Sequence, residues 1–270
     1  MQSHILLNAL ENIERKAWED LIRVFPPALT QSLGLESAEI HRALFLMATR
    51  VPQFQFNFLN GAGLNGDDGR SITTAVNRFR AAGQRKFIIQ IPPGPNALAC
   101  ADRARDAGLK EHPLAWAKFC RSTAKAPSVD SPFEIREVGP ERRDDFGTTV
   151  VAGFGMPPMF TTWLVEIVGR PRWRTYVSYS EGTPAGAGAI YVDGEFAWLG
   201  IGATRPELRK RGGQSALLAR RIADAGKSGV KYVVTETGVP QPGQPAPSYT
   251  NIRKAGFDVA YERPNWAEPQ

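Results

Sequence analysis

Residues 197–225 read AWLGIGATRPELRKRGGQSALLARRIADA, and three successive patterns within them organise the rest of the chain. Phe196, Trp198, Leu199 and Ile201 form an apolar run of strand length, which Pro206 ends because it has no amide to give a ladder. Leu217, Leu218, Ile222 and Ala225 then recur at helical spacing, so a helix starts near Gly212 or Gly213. Between strand and helix lies Arg209-Lys210-Arg211-Gly212-Gly213-Gln214-Ser215. The first amides of a helix have no partner within it, its dipole is positive there, and two glycines let the backbone come close to an anion. With three cations beside it, the stretch reads as a cradle for a phosphorylated ligand; the plainer alternative is a basic, solvated helix start.

The spacing of Arg209-x-x-Gly212-x-Gln214 resembles the Arg/Gln-x-x-Gly-x-Gly/Ala loop with which GCN5-related N-acetyltransferases grip the pyrophosphate of acetyl-CoA. Thr204-Arg-Pro-Glu-Leu before the loop and Ser215-Ala-Leu-Leu after it resemble the same family; Gln214 departs from it, standing where Gly or Ala is usual. The resemblance implies an α/β (α+β) fold, with a mixed, mostly antiparallel twisted sheet flanked by helices. In that fold the strand ending at Thr204 splays from the one at 231–236 and opens a V for the pantetheine arm. The main chain of Gly202, Ala203 and Thr204 would line the V. Residues Arg209, Lys210, Arg211, Gly212, Gly213, Gln214 and Ser215 would hold the phosphates.

Composition is compatible with that reading. The chain has 270 residues, 42% of them hydrophobic, and a net charge of +6. That is enough for a sizeable core in one large domain or two small ones. The basic balance favours anionic partners, a demand coenzyme A meets as well as nucleic acid does. Cys100 and Cys120 form no CxxC, the opening segment has no secretory pattern, and no apolar run is long enough for a membrane helix, so a reducing cytoplasm is the expected location. The histidines lack metal-ligand spacing, and no metal is expected.

Earlier in the chain, residues 5–24 read as an amphipathic helix ended by Pro26 and Pro27, and Arg42–Thr49 and Gln53–Leu59 read as strands. Gly61, Gly63 and Gly66 match GxGxxG literally. No acid follows at the distance a dinucleotide ribose needs, and Asp67 and Asp68 would repel a pyrophosphate, whereas both suit a helix start. A repeat explains the segment better. Ser71–Ile91 has the layout of Gln214–Glu236, namely helix, Ala-Gly stop, basic turn and apolar strand, and the offset drifts only from 143 residues (Gly83 to Gly226) to 148 (Gly108 to Gly256). Two copies of one fold are expected. These are 1–125, a degenerate half without the phosphate loop, and 131–270, the working half, joined by the polar segment 121–132. One coenzyme per chain follows, and a fragment beginning near Ser131 is expected to keep the site. Tandem forms with one silent half are known in the resembled family.

In the second half, Phe133–Val138 reads as a strand, Pro140–Ala152 and Thr161–Val168 as helices, and 173–180, 185–192 and 196–204 as an antiparallel meander. The apolar loop Gly153–Phe160 is either core or, as the resemblance implies, a border of the acceptor site, which suggests an apolar or aromatic amine. Aminolysis of a thioester needs a proton acceptor for the amine and a donor or positive field for the leaving thiolate. The tyrosine usual in the family falls at Ile252 here. Ser248 resembles the serine of a ribosomal-protein acetyltransferase branch, although the asparagine of that branch is replaced by Pro245; its alternative role is a helix cap. Tyr249 is the neighbouring hydroxyl. Glu236, on the far wall of the V, is the candidate base or else a locally bonded strand-end carboxylate. The expected activity is acetyl transfer from acetyl-CoA to a small-molecule or peptide amine. The alternatives are a longer acyl chain or a non-catalytic coenzyme A sensor; nucleic acid and membrane partners are not expected.

Overall fold

The computed structural model describes residues 2–51, 53–64 and 66–269. The first half runs α1 (Gln2–Arg23), α2 (Pro27–Leu33), β1 (Leu35–Ile40), β2 (Ala43–Ala48), β3 (Phe58–Asn60), α3 (Arg70–Ala81), β4 (Ile88–Gln90), α4 (Ala97–Asp106), β5 (Lys110–Glu111) and β6 (Trp116–Ser122). The second runs β7 (Glu134–Val138), α5 (Arg143–Phe154), α6 (Thr161–Leu164), β8 (Trp173–Ser180), β9 (Thr183–Asp193), β10 (Phe196–Thr204), α7 (Gly213–Lys227), β11 (Tyr232–Gly238), α8 (Pro247–Lys254), β12 (Asp258–Arg263) and β13 (Asn265–Ala267). α2 and β1 are among the elements that the sequence patterns leave unassigned. Pro27 occupies the first turn of α2, so the proline pair both stops one helix and starts the next. β1 is a half-exposed edge whose apolar residues, Leu35, Ala38 and Ile40, do not alternate strictly with polar ones. The strand expected over Gln53–Leu59 shortens to β3 because the buried Asn57 amide donates to the carbonyls of Val51 and Gln53 and its oxygen accepts from Ala48 N, coiling the chain just before the strand.

The repeat is real, and its two copies are interlocked. One sheet has the order β1-β2-β3-β4-β13-β5, the other β12-β6-β11-β10-β9-β8-β7. In each, a parallel pair (β3 with β4, β10 with β11) is crossed over by a helix, and every other pairing is antiparallel. The last strand of each half is exchanged: β6 lies between β11 and β12 of the second sheet, and β13 lies between β4 and β5 of the first. A boundary at 125–131 therefore separates the repeats along the chain but not the sheets. A fragment beginning at Ser131 would lack the strand that joins β11 to β12, against the expectation that it keeps the site.

α1 is the central helix. Leu10, Ile13, Ala17 and Leu21 pack with α5, α6 and the β8–β11 face of the second sheet, while Ile22 and Trp18 meet Leu44, Leu46, Phe58 and Ile88 of the first. Trp18 stands edge-on to Phe58 at 5.5 Å and tilted to Trp198 at 6.4 Å. α7 and α8 cover the opposite face of the second sheet with Leu217, Leu218, Ile222 and Ile252. α3 and α4 cover the outer face of the first.

Candidate active site

The parallel pair β10–β11 is joined only over Phe196–Trp198 and Tyr232–Val234. Beyond it β10 runs on to Thr204 and β11 to Gly238, linked further by side chains: the Thr235 hydroxyl donates to the Leu199 carbonyl at 2.8 Å, and the Trp198 indole reaches Glu236. The strands thus diverge and leave main-chain groups of both facing a cleft. A bulge between Gly200 and Ala203 sharpens the divergence, with Ile201 at φ 55°, a conformation unusual for a β-branched residue. Arg221 of α7 supports the bulge from below. Its guanidinium is buried and donates to the carbonyls of Ala189 and Gly200, each at 3.2 Å, in room that Gly188 leaves, where a Cβ would meet Arg221 Cζ at 2.7 Å. Burial without a carboxylate partner lowers its pKa to about 10.

The glycine loop follows. Gly212 caps α7 in the left-handed region (φ 86°), and nothing lies within 4 Å of where its Cβ would be. Lys210 and Arg211 are exposed there, Arg211 lying over the Phe133 ring at 5.6 Å. Arg209 is placed otherwise than as a free cation: it donates to Gly153 O at 2.7 Å and Thr204 O at 3.2 Å, tying the end of α5 to the end of β10. The Gln214 amide bridges the loop back to the strand, donating to the Ala203 carbonyl and, at 2.9 Å, to the Thr204 hydroxyl. Ser215 is half-buried in the first turn, and Gly202 is exposed at the cleft edge. Loop and cleft residues from Gly202 to Ser215 are therefore brought together around one mouth.

Glu236 closes the other wall. The Trp198 indole N–H donates to both of its oxygens, at 3.0 and 2.9 Å, and Lys118 Nζ lies 3.7 Å from Oε2. Desolvation, with the Glu14 carboxylate second, raises its pKa to about 7, and Lys118, the Trp198 bond and Arg263 offset this only in part. Its side chain keeps 13% exposure. Ser248 and Tyr249 stand on the other face of the sheet, in the first turn of α8. Ser248 is exposed, with no side-chain hydrogen bond among the described residues, and the cap position is Ala246, so the cap role does not apply to it. Tyr249 packs edge-on against Phe119 at 5.1 Å, and Ile252, where the resembled family has tyrosine, is core. In the 153–160 loop, Phe160 is buried, stacked on Phe56 at 5.2 Å, while Phe154 and Met159 are exposed.

The first half shows the same architecture closed. β3 ends where its pairing with β4 ends, and Asn60 Nδ2 donates to Gln90 Oε1 at 2.8 Å across that point. Gly69 caps α3 at φ 91° as Gly212 caps α7, but the residue two places earlier is Asp67 rather than Lys210. The buried Asp67 carboxylate accepts from Gly63 N at 2.9 Å, from Gly69 N at 3.1 Å and from the Ser71 hydroxyl. A protein carboxylate thus fills the place an external anion would take. Among the described residues no group of His, Cys, Asp or Glu could hold a metal ion, and no helix is long and apolar enough to cross a membrane.

Sequence reasoning missed Glu11, Glu14, Lys118 and Arg263, which surround Glu236. The available signals were weak: two acids inside the apolar face of α1 and a lysine inside the apolar run Trp116–Cys120.

No family model matches the sequence, and no curated protein matches it. Solved structures do. A GCN5-related N-acetyltransferase from Kribbella flavida superposes with a TM-score of 0.63 at 10% identity, over 98% of this chain and 96% of that one. One from Sphaerobacter thermophilus gives 0.60 at 15% identity, over 88% and 83%. A tandem GNAT protein from the clavulanic acid biosynthesis pathway gives 0.56 at 15% identity, over 83% and 77%. The chain has the fold of the GCN5-related N-acetyltransferases, present twice.

Proposed function

We propose that the second half transfers an acyl group, acetyl in the first instance, from its coenzyme A thioester to an amine. The phosphates would lie at the amides opening α7, with Lys210 and Arg211 beside them, and the pantetheine arm would pass between β10 and β11. The observation that carries this reading is the open cleft itself, with a helix start at one mouth and Glu236 on the opposite wall. Glu236 would take a proton from the attacking amine; a carboxyl with a pKa of about 7 is half ionised at neutral pH and matched to that transfer. As the C–N bond forms and the C–S bond breaks, the departing thiolate would face the α8 side, where the hydroxyls of Ser248 and Tyr249 are the candidate donors. Exposed Phe154 and Met159 beside the cleft favour an acceptor with apolar surface.

A second reading, coenzyme A binding without turnover, is favoured by one observation: the position of the usual tyrosine is the buried Ile252. Thiol release from acetyl-CoA with a panel of primary amines tests the choice. The transferase reading expects amine-dependent release that falls at least tenfold in Glu236→Gln; release at background with every amine, alongside measurable binding, would favour the sensor.

A further inference from the structure

Five ionisable side chains from four elements meet on the α1 face of the second sheet: Glu11 and Glu14 from α1, Lys118 from β6, Arg263 from β12 and Glu236 from β11. Arg263 donates to Glu11 Oε2 at 2.7 Å and to the two oxygens of Glu14 at 2.9 and 3.1 Å. Lys118 is paired with Glu14 and stands 3.8 Å from Glu11 and 3.7 Å from Glu236. The Tyr261 hydroxyl donates to Glu11 at 2.5 Å, and the Asn60 amide of β3 donates to Glu14 at 3.4 Å. Glu11, Glu14, Lys118 and Arg263 are all at most 3% exposed. Two cations face three carboxylates, and Glu236 shares Lys118 with Glu14 and Glu11. Stability does not call for such a cluster, since apolar side chains of similar volume are often as stable or more so.

We propose that the first half of the chain sets the protonation of Glu236, with Glu14 and Lys118 acting as positioning residues for the base; this rests on the transferase reading above. Glu14 opposes ionisation of Glu236 and Lys118 favours it, and both reach the second sheet only because α1 lies between the sheets and β6 is exchanged. The half that is closed to coenzyme thereby takes part in the chemistry of the other.

The Trp198 indole N–H, bonded to both Glu236 oxygens, is a reporter that needs neither coenzyme nor acceptor. Its NMR signal in the full-length protein, assigned by its loss in Trp198→Phe, should titrate with a midpoint near 7. Glu14→Gln should lower that midpoint by about one unit or more, and Lys118→Met should raise it comparably. A wild-type midpoint near the ordinary 4.5 overturns the proposal whether or not the variants fold, as do midpoints in folded variants that match wild type. A pH–rate profile with acetyl-CoA and an amine separates the two readings. If the indole midpoints move as stated and the rate profile does not follow, the network stands and the base role of Glu236 falls.

Discussion

The indole of Trp198 lies forward along its own strand, over Gly200, and donates to both oxygens of Glu236 from the last residue at which β10 and β11 are paired. It can do so because position 200 is glycine: a Cβ there would come within 1.9 Å of the Trp198 ring. Gly200→Ala must therefore displace the indole. It should cost about 1 to 3 kcal/mol in denaturant unfolding and raise the Glu236 midpoint, since a donor to the ionised form is lost.

Glu236 should cost stability in a definite pH window. Its folded pKa is raised from 4.5 to about 7, so the folded state holds a proton that the unfolded state has released, and stability falls as pH rises through that interval. Glu236→Gln removes the penalty. The variant should match wild type near pH 4 and gain on the order of 2 to 3 kcal/mol over it by pH 8, read from urea unfolding at each pH. Glu14, held near 2 by Arg263 and Lys118 despite its burial, contributes the opposite slope: its stabilisation is present above 4.5 and lost as pH falls towards 2.

For the leaving group, Ser248→Ala should leave stability within about 0.5 kcal/mol, because the side chain is exposed and caps nothing. Any fall in kcat at constant coenzyme affinity then reports chemistry. Tyr249→Phe keeps the edge contact with Phe119 and removes only the hydroxyl; a larger rate loss there than at Ser248 would assign the proton to Tyr249.

A fragment of residues 131–270 should not fold alone. It leaves β11 and β12 without β6 between them, exposing two unpaired edges, and removes both Lys118 and α1. Circular dichroism and amide NMR should show an unfolded or aggregated chain; a dispersed, cooperative spectrum would mean the exchanged strand is dispensable.

The parts of this fold that the sequence declares are those made of neighbours in the chain. The loop from Arg209 to Ser215, the strand before it and the helix after it are contiguous, and the repeat shows as a near-constant offset. The strand exchange is not declared, because Trp116–Ser122 and Asn265–Ala267 are equivalent by repeat whichever sheet they join. The surroundings of Glu236 are equally silent: Glu14 lies 104 residues from Lys118 and 249 from Arg263, and only burial between two sheets gives those acids meaning. Arg209 illustrates a further limit, since spacing suggests an anion ligand while the geometry has it holding Gly153 and Thr204.

Titration calorimetry with acetyl-CoA tests the central claim most directly, because the α3 start carries the Asp67 carboxylate where the α7 start carries Lys210 and Arg211. Gly212 tolerates αL substitutes best as Asn or Asp, so Gly212→Asn controls for backbone strain while Gly212→Asp places a carboxylate at the helix start, as the first half does. The account predicts one site per chain, with the Asp variant at least about tenfold weaker than the Asn variant, in keeping with the cost of opposing a charge-assisted phosphate contact. Two equivalent sites per chain, or equal affinity in the Asn and Asp variants, would contradict it.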